Sequence, residues 1–253
     1  MRTLGKILIV LLAAVWGVSC APSQKKLAEQ QEKNPQYQYE KAVVCMQYNM
    51  PDEAVKYLGL ALSLDPRHYQ AHNLMGLAQM IKANVPEAIK AFEASIATNP
   101  DFSEAHNNLG TAYQQSGEVD KAEAEFKAAF AIDQNYNASY NLAKLYYGQN
   151  KLEPALSYTQ QSLQKYNRSL LAWNLLGLIY EGQGKFDDAI ASYQQALKIT
   201  PNEVNISFNL GVAYFKSKQY DKAKDVLEKI LPAVKSDDLK SKIREVLNRI
   251  PVR

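Results

Sequence analysis

The feature that most constrains this chain is a spacing. Small residues stand in the middle of successive apolar stretches at Ala42, Gly76, Gly110, Ala143, Gly177 and Gly211, at intervals of 34, 34, 33, 34 and 34 residues. A second small residue follows twelve positions after each, at Ala54, Ala88, Ala122, Ala155, Ala189 and Ala223. Prolines close several units, at Pro66, Pro100 and Pro201. Two series locked in phase over six units specify a repeat array, in which each unit buries its apolar face only against a neighbour. Apolar residues recur at helical spacing and no stretch alternates as a strand does. The fold class is therefore all-α, an α-solenoid of six repeat units at about 35–68, 69–102, 103–135, 136–169, 170–203 and 204–235. The residue missing from the one short interval lies after Gln134.

The clearest unit, 170–203, places Trp173, Leu176, Gly177, Tyr180, Ala189, Tyr193, Ala196 and Pro201 at positions that resemble the tetratricopeptide repeat. The resemblance covers about residues 35 to 234. The first small residue lets the two helices of a unit cross closely. A third small site, Ala61, Ser95, Ala129, Ser162 and Ala196, admits the next unit, and in the last unit this place is Ile230. Beyond it Leu239, Ile243, Val246, Leu247 and Ile250 recur at helical spacing. Ser236 sits where it can cap such a helix and Pro251 stops it. Residues 236–250 are therefore expected to form a capping helix, which a terminal repeat needs.

Ahead of the array the chain changes character. Arg2 and Lys6 precede a ten-residue apolar run, Ile7 to Trp16, and then come Gly17, Val18, Ser19 and Cys20. A basic start, a short apolar core and small residues before a break make a secretory signal over 1–19, too short to span a bilayer, which takes about 20 apolar residues. Val18-Ser19-Cys20 resembles a bacterial lipobox, which implies acylation at Cys20. A plain signal peptide cleaved nearby is the other reading. Ala21, not Asp, after the Cys implies sorting to the outer membrane, facing the periplasm, in that family. Residues 20–34 are polar and read as the lipidated Cys followed by a flexible tether, with a short helix over Lys25 to Lys33 as the alternative.

Catalytic chemistry is not evident. Two Cys and three His leave little for a metal centre, and no metal or cofactor is expected. His72 and His106 share the place of Trp173 and read as packing residues, and Cys45 as a packed thiol. Without Arg2 and Lys6 the net charge falls from +3 to +1, which gives no electrostatic case for nucleic acid as the main partner. An enzyme is not expected, nor a small-molecule substrate.

In the resembled family the first helices line a concave face. Here they would present Tyr39, Val43, Met46, Leu77, Met80 and Ile81 from units one and two. Asn73, Asn107 and Asn174, with Tyr140, Lys144 and Tyr147, would follow from later units. Apolar groups with adaptable Met suit a hydrophobic or helical segment of a protein partner. The alternative is that the tether or neighbouring helices cover them. Asn suits an extended peptide backbone, though Asn before the repeat's Leu also serves the scaffold. Lys144 is the only basic residue at the places that form a carboxylate clamp in chaperone-binding relatives, so that clamp is not expected.

A lipoprotein signal, a short tether, six repeats and a cap resemble the outer-membrane pilotins of type IV pilus biogenesis and stability. The resemblance implies a non-enzymatic role in localising and multimerising a secretin. An adaptor for peptidoglycan enzymes, or for another envelope assembly complex, is the alternative.

Overall fold

The computed structural model describes residues 29–251, which are helices and turns with no strand among them. The chain divides into two compact bodies, Met1–Ile132 and Asp133–Arg253.

The first body holds α1 (Pro35–Gln47) with α2 (Pro51–Leu64), α3 (Tyr69–Ile81) with α4 (Val85–Thr98), and α5 (Ser103–Ser116) with α6 (Val119–Asp133). The second holds α7 (Tyr136–Gly148) with α8 (Leu152–Lys165), α9 (Leu170–Gly182) with α10 (Phe186–Ile199), and α11 (Val204–Lys216) with α12 (Tyr220–Ile230). A 3-10 turn over Leu231–Ala233 leads to α13 (Asp237–Asn248).

One turn design closes every pair. A single residue takes the left-handed backbone after each first helix: Asn49, Ala83, Gly117, Asn150, Gly184 and Lys218. The next N–H donates five residues back, to the carbonyls of Cys45, Gln79, Tyr113, Tyr146, Tyr180 and Tyr214. This 6→1 bond satisfies a carbonyl that the helix end leaves open. The second helix then starts at once, with Pro51 at its first position in α2 and Pro86 within the first turn of α4, where a missing N–H costs little.

Where the helices of a pair cross, size on one side matches size on the other. A Cβ placed on Gly110 would lie 2.7 Å from Cδ1 and Cε1 of Phe126, and one on Gly76 would lie 2.6 Å from Cδ1 of Phe92. Gly177 meets Tyr193 and Gly211 meets Leu227 in the same way. The units with Ala at this place, Ala42 and Ala143, carry Leu58 and Thr159 opposite in register, smaller than the rings opposite Gly76, Gly110 and Gly177, and all four are fully buried.

Between pairs the turn is clamped by the residue at the Trp173 place. Trp173 Nε1 donates to the carbonyl of Asn167 at 2.8 Å. His72 Nε2 and His106 Nε2 donate to Pro66 and Pro100 at 3.0 Å each. The two histidines thus do more than pack. The turn after α6 is different, having only Gln134 and Asn135. Gln134 is left-handed (φ 51°), and the Asn135 side chain accepts from the Asn137 N–H at 2.8 Å.

Of the segment expected to be a flexible tether, 29–34 fall within the described residues. Residues 29–32 are helical. The Glu32 carboxylate accepts from Gln38 Nε2 at 2.7 Å and pairs with Lys41 Nζ at 3.1 Å. Asn34 caps α1 by accepting from Gln36 N–H at 2.9 Å. These bonds fasten residues 32–34 to α1, and the helical 29–32 fall within the alternative of a short helix over Lys25 to Lys33. The signal segment and Cys20 lie outside the described residues.

At the other end Ser236 caps α13, with Asp237 and Asp238 in its first turn. Ile243 is fully buried against Leu227, Ile230 and Val234. Ile230, at the place where other units carry a small residue, therefore meets the capping helix.

Candidate functional site

The residues singled out from the sequence fall into two sets, one per body. In the first, α1 carries Tyr39, Val43 and Met46, α3 carries Asn73, Leu77, Met80 and Ile81, and α5 carries Asn107. Tyr39, Val43, Met46, Leu77 and Met80 are half-buried, while Ile81 stays 53% exposed. Tyr39 and Met46 pack on the cluster that contains Ala42, Leu58 and Ala78.

Tyr39 leans on His68, with ring centroids 5.0 Å apart. His68 caps α3 by accepting from the Ala71 N–H at Nδ1 (3.3 Å), and its Nε2 meets Gln36 Oε1 at 3.2 Å. An amide oxygen only accepts, so Nε2 carries the proton and the ring is neutral. Burial lowers the pKa of His68. Burial also raises that of Tyr39, with the Glu104 carboxylate adding to it.

Asn73 is buried and spoken for. Its Nδ2 donates to Glu104 Oε1 at 3.2 Å, and its Oδ1 accepts from Asn108 Nδ2 at 3.0 Å. In the second body Asn174 Oδ1 accepts from Asn209 Nδ2 at 3.1 Å, the same bond three units further along the chain. These asparagines tie successive first helices together, so their amides serve the stack.

The second body holds Tyr140, Lys144 and Tyr147 on α7 and Asn174 on α9. Tyr140 is half-buried against the cluster of Leu163, Ala172 and Leu176, and burial raises its pKa. Lys144 is exposed. Tyr140 also lines a cleft of about 280 Å³ with Tyr136, Asn137, Tyr166, Arg168 and Leu171. The sequence reading missed this cleft, because Tyr166 and Arg168 lie in the inter-unit turn, outside the first-helix pattern.

Glu181 was also missed as a focus. Its Oε2 accepts from Tyr193 O–H at 2.8 Å and its Oε1 meets Lys216 Nζ at 2.9 Å, with the side chain 11% exposed. Burial, then Glu181, pushes the Tyr193 phenol far up. The bonds join α9 to α10 and α11. Among the described residues no group of three His, Cys, Asp or Glu side chains is placed to hold a metal ion. No described helix is long and apolar enough to cross a membrane.

The sequence matches the tetratricopeptide-repeat profile over residues 35–68. It matches the profile of the tetratricopeptide repeat protein 21 C-terminal ARM domain over residues 61–250. No curated protein matches it. Among solved structures, PilW, a widely conserved type IV pilus biogenesis factor, is similar with a TM-score of 0.75 at 17% identity, over 83% of this chain and 98% of that one. The APC/C hetero-tetramer Cut9-Hcn1 gives 0.73 at 18%, over 90% of this chain and 45% of that one, so this chain spans less than half of that relative's length. Pseudomonas aeruginosa pilF gives 0.63 at 18%, over 71% and 87%. At these identities the likeness is one of fold.

Proposed function

The chain belongs to the tetratricopeptide-repeat family, and we propose that it is a non-enzymatic protein-binding scaffold of the bacterial outer membrane. It is anchored through Cys20, faces the periplasm, and assists the localisation and multimerisation of a type IV pilus secretin. The observation that carries this reading is the joining of two features in one chain. A basic, apolar start ends in Val18-Ser19-Cys20, and an interaction fold follows whose α1 and α3 carry half-buried Tyr39, Val43, Met46, Leu77 and Met80. Such side chains gain roughly 25 cal/mol for each Å² of apolar surface that a partner covers. The fold likeness to PilW, which runs through nearly all of that protein, supports the choice of pathway.

The test is affinity capture from solubilised envelope with wild type, Leu77→Asp and Met80→Asp, each checked for helicity. Secretin captured by the wild type and lost with both variants is the expected result. Equal capture by all three sinks the reading. Capture of peptidoglycan hydrolases in place of secretin points to the envelope-enzyme adaptor instead. Cys20→Ala should leave the membrane pellet, and retention there would remove the anchor.

A further inference from the structure

We propose that the cleft between α7 and the α8–α9 turn is a docking site for an acidic peptide segment, an aspartate or glutamate beside an aromatic or leucine side chain. The inference deepens the scaffold reading and rests on it for the existence of a protein partner. The cleft walls are aromatic and apolar: Tyr136 and Tyr166, with ring centroids 5.1 Å apart, and Leu171, 59% exposed. Arg168, Asn137 and Tyr140 line it, as does Ser169, whose hydroxyl already accepts from the Ala172 N–H at 3.2 Å. Among the described residues the side chains of Arg168, Asn137 and Tyr140 make no hydrogen bond or ion pair. All can donate, and Arg and Tyr hydroxyls in particular suit a carboxylate. A leucine left 59% exposed beside two tyrosines is apolar surface that a partner's side chain would cover.

Charge selects the occupant. From Gln134 to Leu171 the chain carries Lys144, Lys151, Lys165 and Arg168 against the single acid Glu153. Lys144, Lys165 and Arg168 have no carboxylate partner among the described residues. Of these cations Arg168 lines the cleft itself, where no acidic side chain stands, so an acidic segment entering here meets an uncompensated positive charge, and that complementarity steers encounter as well as holding the complex. A cleft of about 280 Å³ admits one or two side chains, not a folded surface. This favours a short peptide as the ligand.

The experiment uses purified full-length protein. The probe is an N-acetylated, C-amidated hexapeptide alternating aspartate and phenylalanine, followed by fluorescence anisotropy. A lysine–phenylalanine peptide and an oligothymidylate serve as comparison probes. Saturable binding of the acidic peptide is expected, weakened ten-fold or more by Arg168→Gln, abolished by Arg168→Glu, weakened by Tyr140→Phe and reduced at high salt. Tyr140→Phe removes one hydroxyl only, so it keeps the test decisive should a charge variant misfold. Binding unchanged by all three variants, equal binding of the lysine peptide, or displacement of the acidic peptide by oligothymidylate overturns the proposal. Secretin capture lost in Leu77→Asp with peptide binding intact leaves this site standing alone. Peptide binding absent with secretin capture intact removes this site alone.

Discussion

Exchanging glycine for alanine should have opposite signs at two helical positions in the first body. Gly59 lies inside α2 with no atom within 4 Å of the Cβ it lacks, whereas Gly110 lies inside α5 with Phe126 carbons at 2.7 Å. At Gly59 only the backbone term acts, and alanine stabilises a helix interior by roughly 1 kcal/mol. The same gain applies at Gly110, but carbon atoms rest at about 3.5–4.0 Å, so the ring must retreat by close to 1 Å. Phe126 is fully buried and has nowhere to go. Overpacking of this kind costs about 1–3 kcal/mol, so Gly110→Ala is a net loss of up to about 2 kcal/mol. The two variants then differ by roughly 1–3 kcal/mol, or about 2–12 °C in Tm for a chain of this size. Adding Phe126→Leu should recover part of the Gly110→Ala loss, since Ala42 lives with Leu58 in the first unit. Thermal melts followed by circular dichroism decide it. Equal shifts at both glycines, or strict additivity of Gly110→Ala with Phe126→Leu, would refute the size-matching argument.

Three further outcomes follow from the turns, the cap and the buried histidine. Ala83 and Lys218 hold left-handed backbones with side chains attached (φ 59° and 62°), so Ala83→Gly and Lys218→Gly should each raise stability by about 0.5–1 kcal/mol in denaturant melts, whereas Gly117→Ala should lower it. Ile243→Ala should cost about 2–5 kcal/mol and speed amide exchange first in α12 and α13, because its fully buried side chain joins them; exchange rising first in α1 would contradict the capping role. The pKa of His68 is depressed in the fold, so below about pH 6.5 the unfolded chain binds the extra proton more readily and stability falls with acidification until the folded pKa is passed. Melting at pH 7.5 and 5.0 should show that fall, and His68→Asn, which keeps a cap, should remove much of it.

The repeat was legible because its physics is local to one chain interval. A glycine that must admit a phenylalanine sixteen residues later leaves a mark at fixed spacing, and so does a proline that starts a helix. Ile230 was legible as an end because it breaks that spacing. The lateral bonds were not legible. Asn108 to Asn73 and Asn209 to Asn174 join residues 35 apart, and whether such side chains meet depends on how neighbouring units stack, which no single unit encodes. The turns were half legible. Gly117 and Gly184 announce a left-handed residue, but Ala83 and Lys218 take the same conformation with no sequence signal, held by the 6→1 bonds of Asn84 to Gln79 and Gln219 to Tyr214. The site suffered most, because an unpartnered side chain is defined by what its neighbours do not do.

That last point narrows where selectivity resides. One place on each first helix carries either asparagine or an aromatic ring. Asn73 and Asn174 sit there and are consumed by the stack, so a partner that took their amides would break bonds between helices. The aromatic alternatives are Tyr39, Tyr140 and Phe208. Phe208 packs on the cluster of the capping helix, and Tyr39 lies against His68. Tyr140 lines an open cleft, with a hydroxyl that no described residue engages. Positions that glue the array thus differ from positions that face outward, though the repeat pattern treats them as one. Sequence periodicity identifies the scaffold, and departures from its internal bonding identify the surface left over for a partner.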